Sequence, residues 1–335
     1  MKILLAALLS LFAVGSVAQS ATAYDGTLTL TIENDAFTHS DNNYTNGVGI
    51  TWVSANLDSY GNESFLNRWG RFWAFLPFVM DDGYTTYASW SVVQEMHTPD
   101  DINNPNPPED DQPYAGILYV DSLLYARKER WVHSWELKLG VVGPSSQADD
   151  TQKQFHKLIG ADEPQGWHTQ IPDEPVINLG YTAAYLAASG SAGGLAEWRI
   201  VPVGTVGLGT YFTGAGIGTY GEVGWNLVDA FGVTSLRTGL NAASTVGVGR
   251  VDGWSVALFG GIGGYGDIHY LPLDGTVFKN SRSVDSKPFV GMASLGFCVR
   301  HGRFALSYAL TYFTKTFETE RENPDFGTVS LSWYY

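Results

Sequence analysis

Gly327-Thr328-Val329-Ser330-Leu331-Ser332-Trp333-Tyr334-Tyr335 reads in period two. Val329, Leu331, Trp333 and Tyr335 fall on one face; Ser330, Ser332 and Tyr334 fall on the other. Successive side chains of a strand point to opposite sides of a sheet, so this stretch is a strand with one apolar and one largely small or polar face. The pattern recurs upstream. Leu28, Leu30 and Ile32 alternate with Thr27, Thr29 and Thr31, and Val48, Ile50 and Trp52 alternate with Gly47, Gly49 and Thr51. Trp135, Leu137, Leu139 and Val141 alternate with Ser134, Glu136, Lys138 and Gly140, and Phe304, Leu306, Tyr308, Leu310 and Tyr312 form another apolar face.

Strands of about ten residues with one apolar face suit a transmembrane β-barrel, apolar side to lipid and polar side to the lumen. A soluble β-sandwich predicts the same alternation. Three features favour the barrel: an export signal, aromatic strand ends (Tyr44, Trp52, Tyr84, Trp90, Tyr119, Trp131), and an aromatic residue closing the final strand. The last resembles the assembly signal of bacterial outer-membrane proteins. The fold expected is all-β, a twelve-stranded antiparallel transmembrane β-barrel with a short extracellular helix. Its strands lie near 25–35, 44–56, 84–96, 114–126, 131–143, 175–188, 195–207, 213–227, 253–265, 287–299, 303–315 and 326–335. A weakly alternating stretch, 231–246, is read as a connection, because bacterial barrels have even strand numbers.

Lys2, the apolar run Ile3 to Val14 and the small residues of Ala21-Thr22-Ala23 compose a secretory signal. Residues 1–23 are therefore expected to be cleaved, and 24–335 to form the outer-membrane barrel domain. With Lys2 removed, 18 Lys and Arg face 34 Asp and Glu, a net charge of −16. That balance excludes nucleic acid as a partner and favours divalent cations. One cysteine, Cys298, excludes an internal disulfide framework.

With the N-terminus in the periplasm, connections 36–43, 97–113, 144–174, 208–212, 266–286 and 316–325 lie on the cell surface. Residues 57–83 then fall on the periplasmic side, too long for a turn there, and read as an interfacial helix or a turn packed under the barrel. In the first hairpin, Asp35 and Thr45 share the lumen side of the outer rim, with Glu33 one pleat below. Such oxygen ligands suit Ca²⁺; a polar rim with an Asx turn is the alternative. Asn34 has the opposite parity, toward lipid. In the connection 144–174, Asp149, Gln152 and His156 would share a face of a helix started near Ser145 or Ser146 and ended by Gly160. His156 is either solvated or a base for water. The loop holding Asp100, Asp101, Glu109, Asp110 and Asp111 is a solvated acidic loop, or a cation bridge to lipopolysaccharide. No serine-nucleophile elbow is present. His133 and His301 read as structural.

Several segments together resemble the outer-membrane lipid A 3′-O-deacylase family. They are Ile32 to Phe37, Asn43-Tyr44-Thr45-Asn46-Gly47, Asp111 to Gly116, and the run from Leu139-Gly140-Val141-Val142-Gly143-Pro144 through Gln152 and His156 to Trp167. The resemblance implies a Ca²⁺-dependent ester hydrolase at the outer-leaflet end of a monomeric barrel, with lipid A or lipopolysaccharide as substrate among outer-membrane lipids. By position it implies catalytic roles for His156, Gln152, Thr45, Asn34 and Asp162, with Asp35, Thr45 and Glu33 at the metal. Asp162 stands where a glutamate is expected. A site lysine expected after the third strand has no counterpart, since no Lys or Arg lies between Arg71 and Arg127. The alternatives are a non-enzymatic pore or surface binding protein, and a serine phospholipase barrel.

Overall fold

The computed structural model describes residues 26–37, 44–192, 196–228 and 251–335. The expected signal segment and the stretch 231–246 lie outside the described residues. The chain forms β1 (Gly26–Asn34), β2 (Tyr44–Ser54), β3 (Thr85–His97), β4 (Ala115–Lys128), β5 (Trp131–Val142), β6 (Glu174–Tyr185) and β7 (Ala188–Ala192). It continues as β8 (Ala196–Gly209), β9 (Phe212–Trp225), β10 (Val251–Tyr270), β11 (Phe289–Gly302), β12 (Phe304–Phe313) and β13 (Asp325–Tyr334). Helices are α1 (Phe65–Phe72), α2 (Ala148–Ile159) and α3 (Leu271–Asp274). No described helix is long and apolar enough to cross a membrane.

Apart from β6 and β7, each strand pairs antiparallel with its chain neighbours, β1 closes on β13, and β6 closes on β8. The segments β6 and β7 are one strand in two parts. Both pair with β8, Ala184 opposite Val203 and Ala188 opposite Ile200, and Leu186-Ala187 breaks the ladder between them. The result is a closed twelve-stranded barrel. Closure leaves no unpaired edge, which lipid could not satisfy.

The exposed residues decide barrel against sandwich. Ile217 is 77% exposed and Ile262 72%, and Leu30, Ile50, Leu139, Ile177 and Leu258 also face outward. A sandwich would bury this face as its core; here it is the outer wall. The interior is hydroxylic. Thr31 meets Ser330 at 3.1 Å, Thr51 meets Ser91 at 2.8 Å, and Thr182 meets Thr205 at 2.9 Å.

Charges fill the lumen in pairs. Arg199 donates to Glu222 at 2.6 Å. Lys138 lies 3.6 Å from Asp121 and 3.5 Å from Glu136, and 3.5 Å over the Tyr119 ring. Glu95, fully buried, accepts from Tyr119 at 2.5 Å and from Tyr211 at 2.8 Å. Through Tyr211 this layer ties β3 and β4 to the turn between β8 and β9 across the lumen. Hydrogen bonds to a charged group are each worth about 1.5–3 kcal/mol. Glu95→Ala is therefore expected to lower the temperature at which the barrel loses its compact, heat-modifiable gel migration, and Glu95→Gln to lower it less.

Residues 57–83 do not sit under the barrel. They form a short turn and α1, then pack on the outer face of β3 to β5. Leu57 and Val79 cluster with Ala88 and Leu124, joined by Trp90 and Trp135. Ala88, Trp90, Leu124 and Trp135 all belong to the outward-facing set, since Ala88 pairs Leu124 and Leu124 pairs Trp135.

Candidate active site on the outer wall

The first hairpin is built as its parity demands. Glu33 pairs Thr328 on one side and Gly47 on the other, and Gly47 pairs Glu95, so Glu33 and Glu95 face the interior. The Glu33 carboxylate accepts from Thr328 at 2.9 Å. Asn34 is still in the strand; it pairs Asn46, which pairs Met96, which pairs Gly116. This row faces outward. Asp35 opens a single 3-10 turn, Asp35–Phe37, and is buried. Thr45 lies in β2 between Tyr44 and Asn46, where the pairing with β3 shifts register.

The helix α2 covers the same outward row. Met96, Tyr114, Ala148 and Trp167 form one buried cluster. A Cβ on Gly116 would lie 2.3 Å from the Ala148 Cβ and 2.4 Å from the Ser146 Oγ. Gly116 thus leaves room for the helix to touch the wall. Gln94, also outward, donates to the Ser146 carbonyl at 2.7 Å. The sequence reading faced the hairpin inward and held the helix beside that rim. The structure corrects this: α2 packs outside, on the face that carries Asn34 and Asn46 rather than Glu33.

Local rules shape the helix. Its N-cap is Gln147 in the left-handed region, not Ser145 or Ser146. Ser145 is instead tied to Asp173, through its N–H at 2.7 Å and its hydroxyl at 2.8 Å. Gly160, at φ +73°, ends the helix in a conformation that glycine adopts without strain. Asp149 pairs with Lys153 at 2.7 Å one turn on; that bond to Asp149 is the main cause holding the Lys153 ammonium above its ordinary range.

Ala148, Gln152 and His156 follow each other at i, i+4 on one face. Gln152 is 2% exposed, and its Oε1 accepts from the Trp167 indole at 2.6 Å. Its Nε2 has no hydrogen-bond partner among the described residues. Trp167 packs 4.9 Å from Tyr114, whose phenol burial pushes up to about 12. His156 donates from Nδ1 to the Asp162 carbonyl at 2.5 Å, because a carbonyl only accepts. That bond fixes the tautomer of the neutral ring, in which Nε2 is the nitrogen with the lone pair. Asp162 therefore meets His156 through its backbone.

Asn46, which the sequence reading named within the Asn43–Gly47 segment without a site role, belongs to this outward row. Its Oδ1 is buried and has no hydrogen-bond partner among the described residues. The signal was available: an amide two residues from Thr45's neighbour Tyr44, with the same outward parity as Asn34, is costly on a lipid face. Among the described residues no three His, Cys, Asp or Glu side chains gather as a metal cage. Oxygen donors are nonetheless close along the chain: the Asn34 and Asn46 amides pair on the outward row, and Asp35 follows Asn34 directly. Such hard ligands, one of them an orphaned buried carbonyl, fit Ca²⁺. Loops at the same end of the barrel interlock: Thr319 donates to the Asp110 carbonyl at 2.5 Å, Arg282 to those of Pro107 and Pro108, and Arg321 sits 3.6 Å from Asp100.

A closed barrel with an apolar outer band and a histidine-bearing helix clamped to its outer wall defines a membrane β-barrel whose candidate chemistry faces lipid. A family profile described as "Outer membrane protein LpxR" matches residues 3–335, and the chain belongs to that family. The structure is similar to that of LpxR from Salmonella typhimurium, with TM-score 0.74 and 17% identity over 92% of this chain and 100% of that one. The beta domain of the Bordetella autotransporter BrkA aligns over 92% of this chain and 97% of its own, at TM-score 0.40 and 8% identity. A comparison with curated proteins found no match. Family membership implies an outer-membrane lipid A deacylase, an ester hydrolase acting on lipid A or lipopolysaccharide.

Proposed function

We propose that the chain hydrolyses the ester-linked 3′-acyloxyacyl group of lipid A, with His156 as general base and Ca²⁺ as electrophile. The observation that carries this reading is the His156 tautomer, Nδ1–H held by a backbone carbonyl, on a helix packed against the outer wall. Lipid A presents its acyl chains along that wall, so the base meets the ester from the lipid side.

In this reading Asp35, Thr45 and the amides of Asn34 and Asn46 hold the ion, and Glu33 adds charge from the inner face. Bound Ca²⁺ would polarise the ester carbonyl and offset charge on the oxyanion. His156 Nε2 takes a proton from water as its oxygen bonds the carbonyl carbon. The C–O bond to the sugar then breaks, and the proton passes to the leaving alkoxide, giving a free acid and a sugar hydroxyl. In this scheme the unpartnered Nε2 of Gln152 would donate to the acyl carbonyl. The helix end of the barrel faces the cell exterior in this scheme, and the barrel acts as a monomer.

Mass spectrometry of lipid A from cells with and without the expressed chain tests the proposal. The expected result is loss of the 3′-acyloxyacyl mass, abolished by excess EDTA and restored by Ca²⁺. Unchanged lipid A would overturn the hydrolase; hydrolysis persisting in chelator would remove the metal.

A further inference from the structure

Residues 57–83 carry aromatic side chains, Phe65, Phe72 and Phe75, that the rest of the fold leaves largely uncovered. In α1, Phe65, Trp69 and Phe72 share a face; Phe65 is 62% exposed, Phe72 65%, and Phe75 just beyond the helix 71%. The opposite side is fixed to the protein: Asn67 and Gly70 are buried, Gly70 lying 3.0 Å (from its would-be Cβ) from Leu57 and Met80. Arg68 and Arg71 lie between the two sides and are exposed. The segment is rigidly tied to the wall. Phe78 stacks on His133 at 3.8 Å, Trp69 and Phe65 pack on Trp90, and Trp135 donates to the Pro77 carbonyl at 3.0 Å.

The uncovered face continues the barrel's own lipid-facing surface. Trp90 stacks on Trp52 at 5.5 Å, and Trp52 donates to the Tyr335 hydroxyl at 2.6 Å. This is an aromatic girdle of the kind that marks a membrane interface, extended outward by α1. Beside it, Trp73, Leu76, Leu124, Trp135, Leu137 and Leu179 line a shallow crease between the segment and the wall.

The heights agree. On β4 the segment covers Leu124 and the helix α2 covers Gly116, eight residues apart. At about 3.4 Å per residue and a tilt of about 40°, eight residues give roughly 20 Å of height. The apolar band of a membrane barrel is about 25 Å tall. The two attachments therefore bracket the bilayer on the same strands, one at each interface.

We infer that residues 57–83 are a membrane foot: α1 lies in the leaflet at the short-turn end of the barrel, with Phe65, Phe72 and Phe75 among phospholipid acyl chains and Arg68 and Arg71 at lipid phosphates. An amphipathic helix with aromatic residues on one face and arginines flanking it is suited to that plane. The foot fixes the depth of the wall that carries α2 at its other end. Placing this leaflet at the periplasm rests on the orientation proposed above.

The test uses the full chain in phosphatidylethanolamine–phosphatidylglycerol vesicles, with an environment-sensitive dye on Phe72→Cys or Phe75→Cys. Native Cys298 is buried inside the barrel wall. Acyl-chain nitroxide lipids are expected to quench both labels as they quench a label at Ile217→Cys on the lipid wall, while aqueous iodide quenches only Gly61→Cys. Labels at 72 and 75 that respond to iodide and not to nitroxide lipids would overturn the foot. Orientation is read separately in intact cells. An impermeant maleimide should reach Gly61→Cys only after the outer membrane is opened; labelling before that would reverse the orientation and leave the quenching result standing.

Discussion

Replacing His156 by alanine is expected to lower acyl release from lipid A by about 10²–10⁴-fold, the contribution typical of a positioned general base. The expectation follows from one hydrogen bond. Nδ1–H is held by the Asp162 carbonyl, so the ring cannot swing to present the wrong nitrogen, and Nε2 is the basic atom. Alanine removes that atom and leaves the barrel ladder untouched, because His156 belongs to α2 and to none of the strand pairings. The variant should keep heat-modifiable migration and wild-type membrane insertion while its lipid A product disappears from the mass spectrum. Activity within a few-fold of wild type, in a correctly folded barrel, would remove His156 from the chemistry. His156→Gln sharpens the test: it retains a polar side chain of similar reach but no basic nitrogen near neutral pH, and should be as inactive as alanine.

The barrel was legible in the sequence because lipid imposes a strict rule. Every strand had to show apolar residues outward, so Leu28, Leu30 and Ile32 and their counterparts announced both the strands and their faces. The helix was legible for a local reason, since Gly160 marks its end and Gln152 and His156 share its face. What alternation could not reveal was which side of the wall the helix would take. Period two gives two faces, and at the rim either can be covered by a loop. The deciding features are small ones: Gly116 among larger outward residues, and amides at Asn34 and Asn46 on a face that should be apolar. Residues 57–83 were visible as aromatic and overlong. Their seat on the outer wall depends on Ala88, Leu124 and Trp135, which read in sequence as ordinary lipid-facing positions.

Gly116→Val is expected to reduce activity by about 10²-fold while the barrel still assembles. A Cβ at this position meets the Ala148 Cβ at 2.3 Å and the Ser146 Oγ at 2.4 Å, both far inside van der Waals contact. Ser146 has little freedom to yield, since its hydroxyl donates to the Gly143 carbonyl at 2.6 Å. Overpacking of this kind typically costs about 1–3 kcal/mol, and the helix end is the part able to move. The ladder is not: Gly116 pairs Met96, and its carbonyl accepts the Gly143 N–H at 2.9 Å, bonds that valine keeps. The strain therefore lifts α2 from the wall, carrying Gln152 and His156 with it. A displacement of about 1 Å at a reacting group can cost about 10²-fold in rate. The compensating pair decides whether this account is right. Gly116→Ala alone should impair release measurably, and adding Ala148→Gly, which deletes the opposing Cβ, should recover part of the loss. If the two substitutions act independently, with no recovery in the double variant, the helix is not seated on Gly116 and the extramural site is wrong.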